Sequence, residues 1–395
     1  MNKINLTRTL SLAVALSYFL ICVVLLSSCQ SSYIYQVPEQ TNDGWQVASL
    51  DDVGIDKKTL GKLIEEIHNN TYQNIHSILI VKDGKLAFEE YFGGYEFDYQ
   101  GDQFWGEFTE HDIDTMHNLA SVTKAFTSAL IGIAIDKGFI EDEAEKVFAF
   151  FPEYSHLNDE SKDRITLENL LTMTSGLEWN EMDVSVATRD TKNDLIQLFF
   201  VPDPIEYILA KHVVAKAGSR WYYSGGDVNL LGEVIKRATG LRVDDFAEKY
   251  LFTPLGISEY EWAYINPDIV YTSGDLKLRP RDMAKFGYLY LNDGIWNGES
   301  IVSKEWIEDS TREYIAILDA GWVQEYGNSY GYQWFLKTYY ADSRSYDSYM
   351  RDGWGGQRIT IFPELDMVVV LTGGNYATHA PVNEIVTDYI LPAIR

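Results

Sequence analysis

Residues 118–128, Asn-Leu-Ala-Ser-Val-Thr-Lys-Ala-Phe-Thr-Ser, put Ser121 and Lys124 three residues apart at the head of an apolar run reaching Lys137. The pattern predicts a helix from Ser121 to Lys137, with Gly138 as its C-cap. Residues three apart on a helix share one face, one turn apart. The lysine amine then sits beside the serine hydroxyl and can take up its proton. A serine in the first turn also feels the positive end of the helix dipole, which favours negative charge on its oxygen. Alone, this spacing is weak, and its usual reading is a solvated helix face. Ser121 is the only serine of the chain with a lysine three residues on, and the remaining sequence decides between the two.

Of the 395 residues 46% are hydrophobic, enough for a real core, and the net charge is -27. So acidic a chain is a poor partner for nucleic acid or anionic lipid. Lys3 and Arg8 precede a mostly apolar stretch from Leu10 to Leu26, the layout of an export signal. Leu26-Ser27-Ser28-Cys29 follows as a bacterial lipobox. Residues 1–28 are therefore expected to be a lipoprotein signal peptide and Cys29 the lipidated mature N-terminus, anchoring an exported protein to a cell-envelope membrane. With Cys22 in the signal and Cys29 lipidated, no disulfide is expected. Residues 29–45 read as a tether.

From residue 46 to 395 one domain is expected. Ile75 to Phe92 forms two β-rich runs around Asp83-Gly84, a hairpin signal. Arg358–Phe362 and Met367–Leu371 form a second pair around Pro363–Asp366. Thr166–Leu171, Asn229–Arg237, Val243–Tyr250, Arg281–Leu291 and Val382–Ile390 read as helices. Strands at both ends with helices between predict an α+β fold. Its antiparallel β-sheet is closed by the two ends of the chain and flanked by helices, with a mainly helical second subdomain at about residues 125–275.

Other chemistries lack support. No Gly-x-Ser-x-Gly nucleophile elbow is expected, which would remove the usual α/β-hydrolase signature. There is no His-Glu-x-x-His, cysteine cluster, P-loop or dinucleotide fingerprint, so neither a metal nor a cofactor is expected. His117, four residues before Ser121, reads as a loop or core histidine. Trp221-Tyr-Tyr-Ser-Gly-Gly-Asp227 puts Tyr223 in a glycine-rich loop before a helix, and Arg351-Asp-Gly-Trp-Gly-Gly-Gln357 precedes a strand whose backbone a substrate can approach.

With these segments in order, the chain from about residue 50 onward resembles the penicillin-recognising serine hydrolases. The likeness is to the branch of class C β-lactamases, DD-peptidases and esterases. Ser121-Val-Thr-Lys124 matches the first family motif; Leu170–Leu177 and Leu278–Gly287 match recurrent family segments. The resemblance implies a β-lactamase/transpeptidase-like fold, with Ser121 as acylated nucleophile, Lys124 as its base partner and Tyr223 as proton relay. It implies an oxyanion hole from the backbone N–H groups of Ser121 and Gln357, and substrate contacts at Gly225, Trp354, Gly355 and Gly356.

Two departures bear on substrate. The second motif is usually Tyr-x-Asn, here Tyr223-Ser224-Gly225, without the amide that contacts a substrate side chain. The third is usually Lys-Thr-Gly or His-x-Gly, here Trp354-Gly355-Gly356, without the cation expected to pair a carboxylate. Both resemble the esterase and amide-oligomer hydrolase relatives. Tyr72, Tyr264, Tyr290 and Tyr326 also begin a Tyr-x-Asn but read as core or surface tyrosines. Trp179, Trp221 and Trp354 are candidates for lining an apolar acyl pocket. The leading expectation is a serine hydrolase of small ester or amide substrates. The alternatives are a true β-lactamase or DD-peptidase, and a non-catalytic ligand-binding lipoprotein on the same fold.

Overall fold

The computed structural model describes residues 33–395, so the expected signal peptide, Cys29 and the first tether residues lie outside the described residues. Eight antiparallel strands form the main sheet: β1 (Ile75–Lys82), β2 (Lys85–Tyr91), β3 (Ile315–Ala316), β4 (Ser329–Tyr330), β5 (Phe335–Ala341), β6 (Arg344–Gly353), β7 (Gln357–Phe362) and β8 (Met367–Gly373). Their spatial order is β3-β4-β5-β6-β7-β8-β1-β2. Strand β1 pairs with β8, Ile78 opposite Leu371, so the two ends of the chain close the sheet as the sequence predicts. Asp83 and Gly84 both adopt positive φ, 52° and 71°, the turn that matches the twist of a two-residue hairpin.

The apolar strands look continuous because both sheet faces are covered. Leu79, Val81, Ile359, Val368 and Val370 enter one core; Ile78, Ile80, Phe362, Val369 and Leu371 enter the other. Helix α1 (Lys57–His68) and the C-terminal helical segment 382–393 cover the second face. The first face carries α2 (Thr123–Asp136), α3 (Gly225–Thr239) and α4 (Pro280–Leu291). Phe126 of α2, Leu230 of α3 and Phe286 of α4 share one core with Ile359 and Val368, so the helical region has no separate interior.

Helix α2 is buried at every position from Thr123 to Ala134, which explains its uninterrupted apolar run. It begins two residues later than predicted. Ala120–Val122 forms a 3₁₀ turn, and Ala120 takes a left-handed φ of 44°. Gly138, at φ 72°, stands at the expected end. Thr166 and Asn169 form a reciprocal capping box at the predicted short helix. Residues 33–45 are docked where a tether is expected. Arg281 reaches Glu39, Thr41 and Asp43 while pairing with Glu89, and Trp45 is buried. Among the described residues no helix is long and apolar enough to cross a membrane.

Gly287 brings α4 onto the sheet: a Cβ there would stand 2.6 Å from Val368 Cγ1 and 2.9 Å from Ile359 Cγ2. Gly287→Leu is therefore expected to lose about 1–3 kcal/mol in denaturant unfolding. An unchanged midpoint would contradict this close seating.

Candidate active site

The left-handed Ala120 turns the chain sharply before Ser121, and Asn118 steadies that turn by accepting the Ala120 N–H at 2.8 Å. Gly353 of β6 makes the turn possible, since a Cβ there would meet the Leu119 carbonyl at 2.3 Å. Ser121 thus stands on the 3₁₀ turn and Lys124 is the second residue of α2, so the pair spans a junction of elements. The helical spacing survives this change. Lys124 Nζ lies 2.9 Å from Ser121 Oγ and donates to the Ser273 carbonyl at 2.6 Å.

Asn229 of α3 holds that carbonyl in place by bonding both the N–H and the hydroxyl of Ser273. Thr123 and Thr127 of α2 tie themselves to residues 272 and 276 in the same wall. The Lys124 amine is wholly buried. Burial and the nearby positive charge of Arg351 lower its pKa from 10.5 to about 7, against the opposing pull of Glu181 and Asp275. That displacement disfavours the ammonium form and moves the amine toward its neutral state near pH 7.

Tyr223 comes from the loop before α3, with its ring 4.9 Å from Lys124 Nζ and stacked on Trp322. Burial pushes its hydroxyl up to about 12, with Arg351 and Ser121 acting in the other direction. It is therefore a neutral phenol at pH 7, suited to passing a proton on. The segment 170–177 braces this loop: Tyr222 N–H bonds the Met173 carbonyl, and Ser175 bonds Asp227 at the start of α3.

Arg351, three residues before the third motif, joins these parts, a role that no sequence spacing signals. Fully buried on β6, it donates Nε to the Ser121 carbonyl at 2.9 Å and Nη2 to the Tyr223 hydroxyl at 3.2 Å. Its Nη1 reaches Tyr330 and Gln333. Among the described residues it makes no ion pair, so its charge remains available to the site. Glu181, Asn229, Ser273 and Asp275 were likewise unrecognised, because they come from segments without motif spacing.

Ser121 and Tyr223 open onto a cleft of about 480 Å³, walled by Trp322, Tyr326, Phe335, Tyr271, Phe199 and Trp354. Of the three tryptophans expected there only Trp354 lines it, donating Nε1 to the Tyr376 carbonyl. Trp179 is buried behind and donates to Glu181 Oε2, while Trp221 packs against Trp322 and Tyr330. Tyr326, read as a core or surface tyrosine, is a wall of the cleft instead, stacked on Phe335.

Gly355 and Gly356 do not line the cleft. At φ 93° and 98° they turn the loop against residues 376–380, where a Cβ on Gly355 would meet the Tyr376 ring at 2.5 Å. Gly225 does not line it either: it is the first residue of α3, set behind Glu181, Leu195 and Ser273, and its N–H bonds Glu181 Oε2. Gln357 starts β7, and its side chain clamps Gly373 and the Trp354 carbonyl. His117 is buried against His76 at 2.7 Å, a core role. Gly327-Asn-Ser329-Tyr-Gly331 spells the letters of a nucleophile elbow, yet Ser329 is buried in the short strand β4, with no helix following. Among the described residues no group of His, Cys, Asp or Glu could hold a metal.

The family model described as Beta-lactamase matches residues 76–382. The 6-aminohexanoate-dimer hydrolase of Paenarthrobacter ureafaciens is 25% identical over 65% of this chain and 66% of its own length. A family VIII carboxylesterase superimposes with a TM-score of 0.65 at 16% identity, covering 91% of this chain and 99% of that one. A penicillin-binding protein homolog from Caulobacter crescentus gives 0.64 at 16%, covering 86% and 98%.

If neutral Lys124 is the working base, kcat/KM should rise with pH through about 7. Arg351→Met removes a charge that disfavours the ammonium, so the same limb should move to higher pH. A profile flat from pH 5 to 9, or one unmoved by Arg351→Met, would contradict the assignment.

Proposed function

The chain belongs to the β-lactamase family of serine hydrolases, and within it we propose that it cleaves small esters or amides through an acyl-enzyme on Ser121. The observation that carries this reading is the Lys124 amine, closed off from solvent and 2.9 Å behind Ser121 Oγ, which itself opens onto an aromatic cleft. A binding module has no use for such a pair.

The proposed steps are those of an acyl-enzyme mechanism. Neutral Lys124 takes the Ser121 proton as Oγ attacks the carbonyl carbon. The backbone N–H groups of Ser121 and Gln357 receive the oxyanion on one side of the cleft. Tyr223, held as a phenol and oriented by Arg351, passes the proton to the departing oxygen or nitrogen. Water then attacks the acyl-enzyme with the same groups acting in reverse. Arg351 is a positioning residue here, since it touches the Ser121 carbonyl and the Tyr223 hydroxyl rather than the reacting bond.

Ester or amide bonds are favoured over β-lactams because Trp354 occupies the place of the family cation, and among the described residues no Lys or Arg lines the cleft. The relative named a 6-aminohexanoate-dimer hydrolase acts on an amide and supports the amide half of the proposal.

Ser121→Ala should lower turnover of a chromogenic short-chain ester by at least about 10³-fold. A fluorophosphonate probe should label the wild type and spare the variant. A chromogenic cephalosporin should be hydrolysed far more slowly than the ester. Full activity in Ser121→Ala would refute the nucleophile, and cephalosporin turnover matching the ester would favour a β-lactamase.

A further inference from the structure

The charged groups that line the cleft are Glu181, Asp275 and Asp352, all acids. Asp352 is matched by Arg358, which donates to it at 2.6 Å. Lys124 and Arg351 lie behind Ser121 and Tyr223, not on the cleft wall. Arg189 stacks on Tyr99 at the rim, 3.6 Å from the ring centre. Among the described residues, Glu181 and Asp275 therefore face the cleft without a cation in contact.

Glu181 is the unusual one. It is 6% exposed, and burying a carboxylate is costly unless it is paired. Its Oε2 accepts from Trp179 Nε1 at 2.8 Å and from Gly225 N–H at 2.6 Å, while its Oε1 accepts no hydrogen bond and the residue lines the cleft. Gly225 explains how it fits. A Cβ at 225 would stand 2.8 Å from Glu181 Oε2 and 2.7 Å from Leu195 Cδ1. The space that an asparagine side chain would need in a Tyr-x-Asn motif is thus filled by a carboxylate. A neutral amide facing substrate has been exchanged for an anion.

We propose that the cleft takes ester or amide substrates bearing a protonated amine, with the ammonium bound by Glu181 Oε1 and supported by Asp275. This rests on the hydrolase reading and names the substrate class for the same site. The aromatic walls accommodate the aliphatic part, and a substrate carboxylate meets only like charge beyond the rim. The arrangement also serves the base. Glu181 and Asp275 both favour the charged form of Lys124, so an ammonium that offsets them favours the neutral amine as substrate arrives.

Two substrate series of matched chain length test this, one varied on the acyl side and one on the leaving side, each ending in ammonium, methyl or carboxylate. In at least one series kcat/KM for ammonium should exceed methyl by about tenfold or more, with carboxylate slowest. Glu181→Gln should bring the ammonium-to-methyl ratio close to one, and Asp275→Asn should lower it. A ratio near one in both wild-type series, or one that survives in both variants, overturns the proposal. Turnover of the methyl compounds with full dependence on Ser121 would show that the hydrolase reading stands regardless. Calorimetric binding of hexylammonium and hexanoate to the Ser121→Ala protein needs no turnover. Hexylammonium should bind at least about tenfold tighter, and equal or tighter binding of hexanoate overturns the proposal even if the hydrolase reading fails.

Discussion

Lys124 is held out of water between two oxygens, the hydroxyl of Ser121 and the carbonyl of Ser273, with no carboxylate in contact to keep it charged. An amine in that seat is costly to protonate. The surrounding structure maintains the seat. Helix α2 is enclosed on all sides, α3 supplies Asn229 to fix the Ser273 carbonyl, and β6 supplies Arg351 as a second cation close by. Loosening any of these three would admit water and return the amine toward its solution state.

The same arrangement gives Arg351 an unusual position. A buried guanidinium without an ion pair is destabilising on its own, and here its donors are satisfied by the Ser121 carbonyl, two tyrosine hydroxyls and the Gln333 carbonyl. All these acceptors are neutral, so the charge is not cancelled and acts on Lys124 and Tyr223. Trp354 stands in the turn after β6, and a positive charge, Arg351, lies three residues earlier near the end of that strand. It sits behind the reacting groups and does not line the cleft.

Both hairpins, the closure of the sheet by the chain ends, the short helix from Thr166 and the helix after Tyr223 were legible because each rests on local spacing. The offset at Ser121 was not, since a 3₁₀ turn and an α-helix share the same apolar residues and differ only in how Ala120 bends. Residues 33–45 read as a tether because docking on Arg281 and the sheet edge leaves no periodicity. In the site, Ser121, Lys124 and Tyr223 carried recognisable spacing. Glu181, Ser273 and Asp275 did not, being brought in from segments 60 to 154 residues beyond Ser121 in sequence.

The amino-acid sequence by itself determined the chemistry on offer: a serine and a lysine one helical turn apart, a tyrosine before a helix, and a glycine-rich loop leading into a strand. Those are short-range patterns, and short-range patterns set local geometry. Only the tertiary structure decided the electrostatics: that Lys124 is dry, that Arg351 stands next to it, and that Glu181 fills the space left by Gly225. Burial and charge proximity depend on which distant segments pack together, and no spacing along the chain encodes them.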